Sequence, residues 1–225
     1  MHPLLDNVFW HALTGPHARF AVGDGGARRF APGFSPIVAF ADPQRPDLAA
    51  LVPHCAVGER FYCAGWSGAA PAGWCVELEA SMLCMAWQGE TPAEDDAPDA
   101  VPLGPAHVAE AMALAELTRP GPFGPRTLEL GEYFGCFEGG RLVAMSGERM
   151  AAGPLREISG VATHPDAQGR GFARRLMRKL IRRELLRGET PFLHVMGGNA
   201  GAVALYRRMG FALAHETVVR VIARA

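Results

Sequence analysis

The stretch Gln168-Gly169-Arg170-Gly171-Phe172-Ala173 constrains this chain more than any other. It follows a run of strand character, Leu155–Thr163 (LREISGVAT), closed by His164-Pro165, and it opens a long segment, Phe172–Arg187, with apolar residues at helical spacing. Gly169 and Gly171 remove side chains where a ligand would approach the backbone. The first turn of the helix leaves amide N–H groups unpaired at the positive end of the helix dipole. A pyrophosphate fits such a turn, and Arg170 and Arg174 are placed to add charge-assisted contacts. The turn is not a P-loop, since no Gly-Lys-Ser/Thr follows, nor a dinucleotide fingerprint, since Arg174 occupies the last Gly/Ala position. Glycine turns also open helices with no ligand, so the turn by itself leaves a structural role open.

The second half of the chain around this turn is regular. Pro105–Leu117 predicts a helix stopped by Thr118-Arg119-Pro120, and Glu132–Phe137 with Leu142–Arg149 a hairpin around Glu138-Gly139-Gly140. Pro191–Met196 reads as a strand, Asn199–Met209 as a helix and Phe211–Ala223 as a final strand or hairpin. On Phe172–Arg187 the apolar face is Phe172, Leu176, Met177, Leu180 and Ile181. Arg174, Arg175, Arg178, Lys179, Arg182 and Arg183 fill the other face, which reads as solvated, with a phosphate or an acidic partner as alternatives.

The first half carries no chemical motif. Leu4–Leu13 and Asp47–Cys55 read as helices, and Pro36–Ala41, Arg60–Trp66 and Trp74–Trp87 as strands, a mixed α/β pattern. Gly89–Pro105 (GETPAEDDAPDAVPLGP) reads as a linker or exposed connection, dividing the chain into an N-terminal α/β region, residues 1–95, and a second domain, residues 96–225.

Charge follows the same division. Residues 1–100 hold 5 Arg against 12 Asp/Glu, a balance of −7, and residues 101–225 hold 17 Lys/Arg against 11 Asp/Glu, a balance of +6. A basic half suits a polyphosphate ligand, and an acidic half suits a cationic partner or the other half of the protein. Lys179 is the only lysine, which is unlike the mixed basic patch of a nucleic-acid binder. No apolar run approaches the roughly 20 residues that cross a bilayer, and the N-terminal stretch has no basic n-region, so neither membrane nor signal peptide is expected. Five cysteines without a CxxC pair or a His cluster argue against zinc or a disulfide framework and for a reducing cytoplasm, with no metal cofactor.

A second motif follows one helix and one strand after the glycine turn. Asn199 opens a helix, Tyr206 lies two turns on, and Gly210-Phe211 ends the helix and starts a strand. Read separately, Asn199 is a fair N-cap and Tyr206 an ordinary core aromatic. Together with Gln168, Gly171 and Ala173, the set Asn199, Ala202, Leu205, Tyr206, Gly210 and Phe211 resembles the signature of the GNAT N-acetyltransferases, over roughly residues 100–225. EISGVATHP followed by TPFLHV looks most like the branch that includes glycine N-acyltransferase-like proteins, and the N-terminal region could then be a degenerate GNAT-like half.

This resemblance implies a GNAT fold, a mixed central sheet with two splayed strands flanked by helices. It implies acetyl-CoA as cosubstrate and a small-molecule amine or amino acid as acceptor, with a homodimer possible. The pantetheine arm would bond to the backbone of Val161, Ala162 and Thr163. The pyrophosphate would sit on the turn from Gln168 through Gly169, Arg170, Gly171, Phe172 and Ala173 to Arg174, and Asn199 and Tyr206 would reach the thioester end.

Acyl transfer to an amine needs a base for the ammonium, a donor for the oxyanion and an acid for the thiolate. The backbone N–H of Val161 is the expected donor and Tyr206 the expected acid. Glu157, on the strand before the turn, is the expected base, with pairing to a nearby arginine as its structural alternative; His164 is a weaker candidate, and His194 reads as a core histidine. An inactive domain that binds acyl-CoA as a sensor or scaffold is the alternative function.

Overall fold

The computed structural model describes residues 2–225. In chain order the strands are β1 (Ala21–Val22), β2 (Ala27–Phe30), β3 (Val38–Phe40), β4 (Arg60–Ala64), β5 (Trp74–Trp87), β6 (Val101–Pro102), β7 (Tyr133–Glu138), β8 (Arg141–Ala152), β9 (Leu155–Thr163), β10 (Thr190–Met196) and β11 (Phe211–Arg224). The helices are α1 (Val8–Thr14), α2 (Leu48–Leu51), α3 (Val108–Thr118), α4 (Phe172–Leu186) and α5 (Ala200–Met209). The expected helix over Leu4–Leu13 divides into a 3₁₀ turn, Pro3–Asn7, and α1. β1, β2 and β6 carry too few residues for a period to show in the sequence.

Eight strands form one sheet in the order β4-β11-β5-β10-β9-β8-β7-β6, and β1-β2-β3 form a separate small sheet. Within the large sheet only β9 and β10 run parallel, as their connection through α4 requires; the remaining pairs are antiparallel. The sheet is therefore mixed and flanked by helices, an α/β fold. β5, from the N-terminal region, is seated between β10 and β11. It pairs with β11 from Trp74↔Arg224 to Trp87↔Phe211 and with β10 from Met82↔Met196 to Ala86↔Phe192. The stretch Met82–Trp87 is apolar on both faces because both faces are covered. A division at 95/96 thus separates β5 from the sheet that holds it.

Each face of the sheet has its own core. On one side α4 and α5 place Leu176, Met177, Leu180, Ile181, Val203 and Tyr206 against Met85, Ile158, Leu193 and Val195. On the other, α1 sets Val8, Phe9, Ala12 and Leu13 against Cys84, Met150, Leu155 and Phe192, together with Phe30 and Phe34. Each of these Val, Leu, Ile, Met and Phe side chains contributes about 1.5–3 kcal/mol on burial, so the first-half residues are integral to the core.

The acidic segment between the two regions is docked. Lys179 Nζ lies 2.5 Å from Asp95 Oδ2, Arg178 Nε 2.6 Å from Asp96 Oδ2, and an Arg175 amino group 2.7 Å from Asp99 Oδ1. Ala97 is fully buried among the α4 contacts. This corrects two expectations: Gly89–Pro105 is not a free connection, and much of the basic face of α4 is neutralised from within the chain. The opposite charges of the two halves meet here.

Candidate active site

β9 and β10 pair only at Leu155↔Thr190, Arg156↔Pro191 and Glu157↔Phe192. Beyond that point β9 stays paired with β8 up to Thr163, and β10 with β5 up to Met196, but the two strands part. The backbone of β9 from Ile158 to Thr163 therefore presents an edge with no strand on that side. Gly160, at φ +61°, makes a bulge inside this edge: Ser159 faces Gly147 and Ala162 faces Met145, so Gly160 and Val161 lie opposite the single residue Ser146. The bulge breaks the alternation expected after Ser159, so Val161 packs with the α4 side while Ala162 joins the α3 cluster.

The glycine turn lies at the wide end of this opening. Gly169 and Gly171 have φ of +74° and +80°, and a Cβ on either would meet no atom within 4 Å. Gly171 is the N-cap of α4 and offers no side-chain cap. The first α4 amides thus have neither a protein partner nor a side chain screening them, the arrangement an anion needs. Gln168 Nε2 bonds back to the Thr163 carbonyl at 3.5 Å. Arg170 is held bidentately by Glu138 at 2.8 and 2.5 Å. That pair is half exposed and of the kind worth only about 0.2–1 kcal/mol, so a phosphate can compete for the guanidinium. Arg174 is exposed and, among the described residues, makes no ion pair. Phe172 is buried beneath the turn with the Arg170 guanidinium over its ring, and Ala173 is half-buried.

On the same side, Asn199 caps α5 by accepting the Ala202 N–H at 3.1 Å, which leaves its amide NH₂ free to donate. Tyr206 is buried with Val195, Leu193 and Phe172, its ring edge-on to Phe211. Burial pushes its phenol up to about 12, so the hydroxyl stays protonated at neutral pH.

Glu157 is where the structure departs from the sequence reading. Its side chain is fully buried, gripped by Arg149 through two hydrogen bonds of 2.9 and 2.6 Å, and its Oε1 lies 2.7 Å from His194 Nδ1. Although burial opposes ionisation, the Arg149 charge and these hydrogen bonds outweigh it and bring the carboxyl down to about 2. A carboxylate so stabilised is a poor proton acceptor, and the base role expected of Glu157 does not fit; the arginine pairing does. His164 is also accounted for: its Nδ1 accepts the Asp166 N–H and caps the turn after β9.

Sequence reasoning passed over Arg149 and gave His194 to the core. One signal was available: a charged or imidazole side chain in the middle of each of three apolar strands, Arg149, Glu157 and His194. Such groups are rarely buried singly, so three together imply mutual pairing.

Comparison with known proteins agrees with this geometry. The Acetyltransferase (GNAT) family matches residues 109–211. A solved structure from Novosphingobium aromaticivorans, described as an acetyltransferase from the GNAT family, is 35% identical, covers 100% of both chains and superposes with a TM-score of 0.88. A GCN5-related N-acetyltransferase from Kribbella flavida shares the fold, with a TM-score of 0.61 at 18% identity over 97% of this chain and 95% of that one. Among curated proteins, the N-alpha-acetyltransferase RimI of Mycobacterium tuberculosis is 39% identical over 82 residues, 35% of this chain and 51% of its own. A mycothiol acetyltransferase of Saccharomonospora viridis is 41% identical over 64 residues, 28% of this chain and 21% of its own. The matched region thus spans about half the length of the first curated relative and a fifth of the second. Neither is named as a glycine N-acyltransferase. Splayed strands, an uncapped glycine turn, the Asn199–Phe211 motif and a full-length relative converge on one statement: this chain belongs to the GNAT family of acetyltransferases.

Proposed function

We propose that this protein transfers an acetyl group from acetyl-CoA to a primary amine by direct attack. The observation that carries the reading is the opening between β9 and β10, which has an unpaired strand edge along one wall and an uncapped helix N-terminus at its mouth. These features match the two halves of CoA. An extended pantetheine arm with amide groups can bond to the Val161, Ala162 and Thr163 backbone as an added strand would. A pyrophosphate can take the amides between Gly169 and Arg174, with Arg170 and Arg174 supplying charge. The open space above Gly169 and Gly171 leaves room for such a group.

The thioester end then lies near the point where the strands part. There the Val161 N–H can donate to the oxyanion of the tetrahedral intermediate, and the Asn199 amide can fix the arm. Tyr206 faces the leaving sulfur. A phenol near 12 is a weaker acid than a thiol near about 8.5. Tyr206 therefore acts chiefly by hydrogen-bonding the thiolate as charge develops. The named relatives, an N-alpha-acetyltransferase and a mycothiol acetyltransferase, suggest two acceptor classes, a protein N-terminus and a small amine. No helix among the described residues is long and apolar enough to cross a membrane.

The experiment is CoA release from acetyl-CoA in the presence of a panel of alanyl peptides and small primary amines, with calorimetry of acetyl-CoA binding. Turnover with at least one amine is expected. Tyr206→Phe should lower it about 10²-fold with acetyl-CoA affinity unchanged. Tight binding with no turnover on any amine would favour a sensor instead.

A further inference from the structure

The base left unassigned by Glu157 has a candidate one strand away. We propose that His194 Nε2 accepts the acceptor's proton, and that Glu157, locked by Arg149, is a positioning residue for that imidazole. This rests on the acetyltransferase reading and names the group that completes it.

Place comes first. β10 leaves β9 after Phe192, and His194 lies two residues further, in the parted section. Its ring reaches back to Glu157 on the facing strand, so His194 bridges the narrow end of the opening. Leu193 and Val195 point to the α4 side, where Tyr206 lies, while His194 alternates to the α1 side. There it packs edge-on to Phe9 and Phe192, at ring-centroid distances of 5.1 and 5.6 Å. Tyr206 and His194 thus approach the opening from opposite faces of the sheet, which suits an amine entering on one side of a thioester and a thiolate leaving on the other.

Chemistry comes second. Nδ1 is committed to Glu157 at 2.7 Å, which fixes the ring and, with an anionic partner, places the proton on Nδ1. Nε2 then carries the lone pair. Among the described residues it has no hydrogen-bond partner, and it is not one of the buried polar atoms shut off from solvent. His194 lines a cavity of about 30 Å³, along with Asp6, Phe9, His215 and Thr217, enough for a water or an ammonium group. Glu157, ionised down to about 2, keeps its charge throughout the range in which an imidazole titrates and stabilises the imidazolium that forms.

The other groups around the ring are Arg149 on β8, Cys84 opposite it on β5, His215 on β11, Asp6 before α1, and His17 near Glu157. Burial holds the Cys84 thiol up to about 12 and the His17 imidazole down to about 4, so both stay neutral near pH 7. Of the two protons an ammonium loses in becoming an amide, one passes to Nε2 and on to water. The other ends on sulfur: the nitrogen lone pair forms the C–N bond, the C–S bond breaks with its pair on the sulfur that the Tyr206 hydroxyl hydrogen-bonds, and the second N–H proton reaches that thiolate through water.

The test uses the full chain with acetyl-CoA, benzylamine and an alanyl peptide as acceptors. It also uses bromoacetyl-CoA, which needs no acceptor. His194→Gln should lower kcat/KM for the amine by about 10²-fold or more, leave acetyl-CoA affinity unchanged and abolish the acidic limb of the pH profile. Glu157→Gln should cost less and lower kcat with the amine KM little changed, because the Nδ1 N–H loses the carboxylate that fixes the ring; a purely structural role would not give that split. In the wild type, bromoacetyl-CoA should alkylate His194, the Nε2 lone pair displacing bromide. His194→Gln turning over within twofold of wild type, or bromoacetyl-CoA binding without labelling His194, overturns the assignment. Acetyl-CoA binding without turnover on any amine defeats the transferase reading by itself, while the labelling still decides whether His194 faces the acyl end.

Discussion

The two regions of this chain contribute to one sheet in unlike ways. Residues after the acidic segment carry the glycine turn, the capping Asn199 and Tyr206, all on or beside the α4–α5 face. Residues before it carry no motif, yet they supply β5, the strand between β10 and β11, and the whole α1 cover of the opposite face. Chemistry that follows a local pattern is concentrated in one region, while the continuity of the sheet depends on the other. A half that looks like a complete domain by its motifs is thus incomplete by its hydrogen bonds: without β5, both β10 and β11 lose a neighbour over their length.

The largest effect tests that dependence directly. A fragment of residues 96–225 should fail to fold, since removing β4, β5 and α1 uncovers Phe192 and Val219, opens one edge of β10 and leaves β11 with no neighbour on either side. A soluble monomeric fragment with a cooperative thermal transition would break the comparison. Next, Gly171→Glu should abolish acetyl-CoA binding by placing a carboxylate over the α4 amides, whereas Gly171→Ala should add only the strain of a left-handed alanine, about 1–2 kcal/mol of stability, with a smaller loss of affinity. Calorimetry and chemical denaturation on both variants separate charge from strain; equal affinities in the folded proteins would remove the turn from the binding site.

Two buried glutamates sharpen the contrast between the faces. Glu157, on the α1 side, is paired; Glu184, on α4, is buried with neither carboxyl oxygen hydrogen-bonded. Glu157→Gln leaves Arg149 without its anion and should cost about 3–5 kcal/mol at neutral pH. Because the Glu157 carboxyl is lowered from 4.5 to about 2, its contribution is complete above 4.5 and is lost as pH falls through 2. The wild-type advantage should therefore be flat at neutral pH and shrink on acidification.

Glu184 has the opposite sign. Burial and the neighbouring Glu148 push its carboxyl well above 4.5, so the folded state favours the acid form. Its stabilising contribution is present below 4.5 and disappears as pH rises through the raised value. Glu184→Gln should stabilise the protein at pH 7 by about 1–3 kcal/mol and make little difference at pH 4. Denaturation midpoints of the wild type and the two variants across pH 2–8 read both effects, and a destabilising Glu184→Gln at pH 7 would mean that the carboxylate is held by a partner.

The smallest effect concerns the seam. Asp99→Asn removes an exposed partner of Arg175 and should change stability by no more than about 1 kcal/mol. A much larger loss would show that the acidic segment holds α4 in place through that pair.

The sequence by itself determined the helices and strands of the second region, the two-residue β6 excepted, to within a few residues, together with the turn that opens α4 and the Asn199–Phe211 unit. The reason is that these depend on neighbours in the chain: glycine where φ is positive, an amide acceptor at an N-cap, apolar residues at a helical period. Tertiary structure alone decided three things. It seated β5 beside β11, joining Met82 to Thr217. It tied Lys179 to Asp95, 84 positions away. It turned Glu157 from an apparent base into the partner of Arg149 and His194. A carboxylate on a strand has the same sequence appearance whether it meets an arginine, a histidine or water. Its protonation is set by the charges that folding brings within a few ångströms, and no local pattern contains them.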